Sequence, residues 1–562
     1  MGRDRLTRRT VARAIRHEAA ELAWLRVHPE HRSNSEESDY RNASNELSYI
    51  ANYSKAFPHS RTGEVDGNSY RALVHAVDGG DPQLFELIPL GTPAGLDLTN
   101  PQAGLAFDLE GPDAQAVTVP PAPRLDSREN AAEMAELYWM ALMRDVRFAN
   151  YGTASIAGDA VAHLNSFGQD FRGPKEGTPP AVTRQTLFRG FTPGDLRGPY
   201  ISQFLLIGNA DPALGLGPED GFIRYGTLLI DQRSRRAVPG KDYLTRYEAP
   251  PPAPAGAPLP PNWLAAQNGA DYRDTDVIDP NRRFIRTLRD LATYVHFDAL
   301  YEAYLNACLI LLSTPAPLDQ GNPYNRSQTQ DGFGTFGGPH VLSLLTEVAT
   351  RALKAVWYQK WGVHRRIRPE EFGGRIHVHL RGLPARPGYP AVPPGRFPQI
   401  HPDILDTTPG GLLDRVRARN LASFGNDTYL LPQAFAEGAP THPAYGAGHA
   451  TVSGACVTIL KAFFDESYEL PAVYVPDATG QNLQLQPAPP APKLTVGGEL
   501  DKLAANIALG RNAAGVHWRS DYTESVLLGE QIAMGILEEQ KATYNEHHHL
   551  TIRRFDGTGI AI

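Results

Sequence analysis

What this chain of 562 residues has least of is sulfur: two cysteines, Cys308 in "YLNACLILLS" and Cys456 in "SGACVTILKAFF", and five methionines. Both cysteines sit inside apolar periodic stretches, which excludes a thiolate zinc site and a disulfide scaffold; they read as buried thiols, with a bond between the two left open. No run of about 18 apolar residues occurs, so no membrane-spanning helix is expected. Charge of one sign is also missing. The 54 Lys and Arg against 62 Asp and Glu leave a net −8, which gives no footprint for nucleic acid or for an anionic membrane. Any anion site must be built locally.

The length allows two to four average domains or one large helical one. The N-terminus "MGRDRLTRRTVARAIRHEAAELAWL" carries a twin-arginine pair, Arg8 and Arg9, but Arg13, Arg16, His17 and Glu18 break what would be its apolar segment. No signal peptide is read there. Val11, Ile15, Ala19 and Leu22 recur at helical spacing instead, predicting an amphipathic surface helix. Proline-rich stretches at 250–263, 386–398 and 487–493 read as loops or surface straps.

From about residue 130 onward long amphipathic helices are expected. "DSRENAAEMAELYWMALMRDV" opens with Asp126 and Glu129, and "DYTESVLLGEQIAMGILEEQ" with Asp521 and Glu524, both with the spacing of a capping box. "HVLSLLTEVATRALKAVWYQKW" gathers Leu344, Val348, Ala352, Ala355 and Trp357 near one side. "ATVSGACVTILKAFF" repeats Val452, Cys456, Ile459 and Phe463 at helical spacing. By contrast "RIHVHL", residues 375–380, alternates and predicts a short strand whose polar face holds His377 and His379. A third ligand is not in sight there, and "EHHHL" at 546–550 likewise reads as a solvated turn. The first 120 residues look more irregular. The chain therefore divides into residues 1–125, an irregular and helical region packing on the core or on a partner subunit, and residues 126–562, a helical-bundle domain.

Three segments carry chemistry. In "HPAYGAGHATV", Gly446, Ala447 and Gly448 stand directly before a helix, so its first N–H groups can meet an anion without side chains in the way, and His449 lies at the lip. In "KWGVHRRIRPEE", Lys360 ends a helix and Arg368 is held extended by Pro369. In "ALGRNAAGVHWRSD", a helix stops at Gly510, and Arg511, His517 and Asp521 follow at gaps of six and four. Each segment alone is explained as well by a Gly-rich helix start, a solvated basic turn, or an aspartate N-cap. A histidine with one free ring nitrogen can hold a metal or phosphorus centre while the other nitrogen donates to a carboxylate, so Asp521 could serve both His517 and the helix.

Taken in order, Lys-x7-Arg-Pro, Gly-His at a helix start and Arg-x5-His-x3-Asp resemble the three-part signature of the vanadium-dependent haloperoxidases and related acid phosphatases. The resemblance is closest to the algal and cyanobacterial bromoperoxidases. It extends to "ENAAEMAELYWMALMRDV", "FGTFGGPHVLSLLTEVATRALKAVWYQKWGVHRR" and "RRFDGTG", and covers most of the chain from about residue 40. It implies an all-α fold of helix bundles with a few short β-hairpins, assembled as a homo-oligomer built from dimers. It implies vanadate bound through His517, its oxygens held by Lys360, Arg368, Arg511 and the Gly448 N–H. His449 is then the acid/base, and His442 the second histidine that favours bromide. The implied substrates are hydrogen peroxide, halide and small organic molecules. The rivals are an acid phosphatase with His517 as nucleophile, and a non-catalytic anion-binding homologue.

One position departs from the pattern: Ala447 stands where many relatives carry a serine that donates to the vanadate. A neutral hydrogen bond is worth about 0.5–1.5 kcal/mol, whereas a unit charge about 4 Å away contributes about 4 kcal/mol at an effective dielectric near 20. Weaker cofactor retention is expected, not a dead site. The loop "STPAPLDQGNPYNRSQTQDGFG", residues 313–334, offers Asp319 and Asp331 as oxygen ligands for a structural calcium, though a plain surface loop explains it better.

Overall fold

The computed structural model describes residues 5–42, 44–249, 260–314, 316–486 and 493–562. Most of two proline-rich stretches, 250–259 and 487–492, lies outside the described residues. Helices dominate, and the strands among the described residues form only two-stranded antiparallel pairs. Phe222–Tyr225 pairs with Leu228–Asp231, Ser234–Ala237 with Ile278–Arg283 around a bulge, Tyr474–Pro476 with Leu483–Leu485, and Thr551–Arg553 with Gly559–Ala561. Among the described residues no single helix is long and apolar enough to cross a membrane.

The centre of the bundle is the helix Gly448–Phe463, buried almost all round, as its apolar composition demands. It packs against Arg519–Lys541, Gly338–Tyr358 and Val496–Ala514, and the last of these packs in turn on Leu288–Phe297. Two glycines set the closest approach. A Cβ on Gly454 would overlap the Val526 carbonyl, and one on Gly529 the Thr451 carbonyl. Alanine at either position would force the two helices apart. Both cysteines are free and buried.

A second layer is ionic. Glu133 and Glu136, three apart on the buried helix Arg128–Leu142, receive Arg366 at 2.9 Å and Arg519 Nε at 2.7 Å. These pairs draw the helix onto the segments that carry the candidate site. From the N-terminal side, the Tyr53 N–H donates to the Arg365 carbonyl and the Ile367 N–H to the Ala51 carbonyl, so residues 51–53 run beside 365–367. The N-terminal helix Arg5–Leu25 forms as expected, with none of its residues buried.

Four local expectations are corrected. Residues 375–380 are not a strand but part of the helix Pro369–Arg381, opened by a proline at its first position, where the missing N–H costs nothing. The alternation misled because His377 is itself buried. In a helix His377 and His379 point apart, accepting from Tyr429 N–H and Phe397 N–H respectively. The cap of Arg128–Leu142 is Ser127, whose hydroxyl accepts from Asn130 N–H at 3.1 Å, and Asp126 instead pairs with Arg124. The helix expected to stop at Gly510 runs on to Ala514 and ends at Gly515, whose φ of +90° favours glycine. Gly510 is there for packing, because a Cβ would press on Val295 and Leu291. Last, Arg519–Lys541 is preceded by Trp518, which puts Asp521 inside its first turn with Trp518 at the N-cap.

Candidate active site

Lys360 lies in a π-helical turn, Gln359–His364, that continues Gly338–Tyr358. Such turns re-aim side chains that a straight helix would point elsewhere. Its ammonium is fully buried and donates to the carbonyls of Pro443 at 2.7 Å and Ala444 at 3.2 Å. The loop before Gly448 is thereby tied to the lysine.

Arg368, also fully buried, is the hub. Its NH1 donates to the Val516 carbonyl at 2.7 Å and faces His517 Nε2 at 3.0 Å, while NH2 faces His442 Nδ1 at 2.8 Å and Nε donates to the His442 carbonyl. Burial lowers its guanidinium to about 10 despite the nearby Asp521. Arg511 comes from the last turn of Val496–Ala514, donates to the Val295 carbonyl at 2.9 Å and lies over the Phe435 ring. Its Nε is buried with no partner.

His517 sits between helices, 2% exposed. Its Nδ1 is 2.8 Å from Asp521 Oδ2, which also accepts from the Trp518 N–H at 3.0 Å. A carboxylate accepts, so Nδ1 carries the hydrogen and Nε2 is unprotonated, its lone pair accepting from Arg368 NH1. Asp521 thus does serve both the histidine and the helix. Its other oxygen takes Arg366 at 3.0 Å. Burial raises the Asp521 carboxyl, opposed chiefly by Arg366. Burial first, and then Arg368, Lys360 and Arg511, hold His517 well below the usual imidazole range. The same causes, with Lys360 ahead of Arg368, keep His442 neutral. Lys360 is pushed well down by burial and by its neighbouring guanidiniums.

His442, Gly448, His449, Arg511 and His517 line one cavity of about 570 Å³, with Trp357 and Asp298 in its wall. His442 lies against Trp357, ring centroids 4.9 Å apart. Gly448 opens its helix with no side-chain cap from Ala447, leaving early N–H groups as donors. The Ala447 N–H itself donates to the Ser525 hydroxyl at 2.7 Å, below the loop. His449 Nε2 is 3.1 Å from Asp298 Oδ1, so Nδ1 is the ring nitrogen without a protein partner.

All nine residues singled out from the sequence therefore converge on this place: Lys360, Arg368, His442, Ala447, Gly448, His449, Arg511, His517 and Asp521. Nothing in the sequence pattern points to Asp298, a lone aspartate after a helix, and Arg366 stays unassigned although it stands in "KWGVHRRIRPEE". The arrangement fits a tetrahedral oxyanion. Buried cations repel one another unless an anion lies between them, the Arg511 Nε lacks a partner, and a neutral imidazole offers a lone pair to a Lewis-acidic centre. Asp319, by contrast, is committed to the Gly321 N–H at 2.8 Å and the Thr551 hydroxyl at 2.5 Å, and Asp331 is exposed. Within "EHHHL", Glu546 accepts from Tyr324 and Thr335, and His548 packs on Phe336.

The family model described as the VCPO second helical-bundle domain matches residues 421–546. The vanadium-dependent bromoperoxidase of Corallina pilulifera is 43% identical over 603 aligned positions, covering 97% of this chain and 96% of its own. That of Corallina officinalis is equally similar. The vanadium-dependent bromoperoxidase of Ascophyllum nodosum is 33% identical, covering 92% of this chain and 87% of its own. Among solved structures, the homohexameric second vanadate-dependent bromoperoxidase of Ascophyllum nodosum superposes with a TM-score of 0.85 at 27% identity, covering 100% of this chain and 91% of its own.

Proposed function

We infer, from the premise that this chain belongs to the vanadium-dependent bromoperoxidases, that it uses hydrogen peroxide to oxidise bromide to a hypohalous species that halogenates organic compounds. Iodide, which is easier to oxidise, is a substrate as well. The observation that carries the residue-level reading is the neutral His517 ring, its Nε2 lone pair aimed at Arg368 in a pocket of buried cations.

In this reading His517 Nε2 would hold vanadate, and Asp521 fixes the ring so that no tautomer change would be needed on binding. Lys360, Arg368 and Arg511 neutralise the oxygens, with the Gly448 N–H as a further donor. Vanadate held there would supply Lewis-acid chemistry for the reaction of peroxide with halide. His449 moves the proton at Nδ1, while Asp298 on Nε2 keeps that ring oriented and stabilises its cationic form. His442, held neutral under Trp357, shapes the halide side of the cavity and favours bromide over chloride. Residues 1–125 pack partly on the catalytic region 126–562 and partly on a partner subunit, because Leu22, Trp24, Leu25 and Val27 stand exposed. The homo-oligomer is built from dimers. With Asp319 committed to protein donors, the loop 313–334 is a structural turn, and a calcium ion there would have to displace them.

The test is vanadium analysis coupled to a halide-dependent peroxidase assay. Vanadate-dependent bromination inhibited by phosphate is expected. Phosphate-ester hydrolysis without bromination would mean an acid phosphatase with His517 as nucleophile, and neither activity an anion-binding homologue.

A further inference from the structure

Outside the oxyanion centre, Asp276, His296 and Glu437 come together from three segments: a turn near Arg273–Thr275, the last turn of Leu288–Phe297, and the loop before His442. One ligating atom of each lies within 4.8 Å of the others. His296 Nε2 is 2.9 Å from Asp276 Oδ2 and 3.6 Å from Glu437 Oε1. The imidazole is stacked on Phe435, centroids 3.8 Å apart, and Asp276 Oδ1 accepts from the Ala436 N–H at 2.9 Å, so two of the three groups are already fixed in orientation. A separate observation points to a missing ligand. Glu437 Oε2 is shielded from solvent and has no hydrogen-bond partner. His296 and Glu437 also line the 570 Å³ cavity, so a cation among the three groups would face open space that water can fill.

We propose that Asp276, His296 and Glu437 bind one divalent transition-metal cation, Zn²⁺ or Mn²⁺, in the wall of the oxyanion cavity. One imidazole and two carboxylates are donors that such ions accept, with the remaining positions taken by water. The cation binds the Glu437 oxygen that protein donors leave unpaired. It also offsets the Glu437 carboxylate in the wall of that cavity, so its binding lowers the KM for bromide with little change in kcat. That kinetic consequence rests on the function proposed above; the binding itself does not.

The test uses the vanadate-loaded full chain, freed of other metals by a chelator and carrying His547→Ala and His548→Ala to remove competing histidines. Titration with ZnCl₂ in a calorimeter is expected to show one bound equivalent, weakened at least roughly tenfold by Asp276→Asn or Glu437→Gln. Absence of saturable binding, or an affinity unchanged by both substitutions, overturns the site. Zinc-edge X-ray absorption on the chain with Asp276, His296 and Glu437 intact covers the case in which a variant fails to fold. One imidazole nitrogen among oxygens supports the proposal, and a shell with several imidazoles or none contradicts it. Bromination by the vanadate enzyme in the absence of zinc is scored separately, so failure of the metal site and failure of the proposed function are distinguishable.

Discussion

Arg368 NH1 stands 3.0 Å from His517 Nε2, so the unprotonated ring nitrogen of His517 is aimed into the cationic centre. That contact exists only because Asp521 takes the hydrogen on Nδ1 at the other edge of the ring. From this pairing comes the first prediction. His517→Ala loses vanadium, whereas His449→Ala keeps part of it and loses turnover by roughly 10²–10⁴-fold, the usual contribution of general acid–base catalysis. Vanadium content and bromination rate on the same samples check it, and the opposite pattern would mean the two roles are exchanged.

Asp521→Asn tests the second edge of the ring. An asparagine can present its amide N–H to Nδ1 and favour the wrong tautomer, and it also weakens the pairing to Arg366 and the Trp518 N–H. Vanadate affinity is expected to fall about 10–100-fold, the range found when a partner behind a metal ligand is removed. Equilibrium dialysis against orthovanadate measures it; unchanged affinity would leave Asp521 as a helix-capping residue alone.

Ala447→Ser restores the hydroxyl that many relatives carry. One added neutral hydrogen bond of about 0.5–1.5 kcal/mol corresponds to vanadate held up to about tenfold more tightly. Slower vanadium loss during dialysis is the expected readout, and faster loss would show that the Ala447 side chain does not face the oxyanion.

Acid stability follows from buried histidines away from the cavity. Burial holds His59 and His364 at about 3 and His377 at about 4, below the ordinary imidazole value of 6.5. As pH falls below 6.5 the unfolded chain takes up protons that the folded one refuses, so stability is lost from there down to about pH 4 and levels only as the folded histidines titrate. Each such group adds about 1.4 kcal/mol per pH unit to the slope. His364 has no partner on either ring nitrogen and meets Tyr445 edge-on at 4.8 Å, so His364→Phe should keep the packing and remove one group's share of the slope. Denaturant unfolding between pH 4 and 7 tests this; an unaltered slope would contradict the burial argument.

Most of the oxyanion centre was legible because its groups are recognisable types at fixed spacings: Lys360 and Arg368, Gly448 and His449, Arg511, His517 and Asp521. Asp298 was not legible, since a single aspartate gains its meaning only when the helix Gly448–Phe463 brings His449 beside it. Helix content was read correctly from periodicity where one face is buried. It failed at residues 375–380, where alternating apolar and polar residues imitate a strand although His377 is buried in the helix. Gly510 read as a stop because glycine ends many helices; here the missing Cβ serves the packing on Val295 and Leu291.

The most direct measurement is a crystal structure of the full chain grown or soaked with orthovanadate. Vanadium bonded to His517 Nε2, with its oxygens within hydrogen-bond reach of Lys360, Arg368 and Arg511, is the expected result. Vanadium bound elsewhere in the cavity, or an oxyanion held without His517, would contradict it.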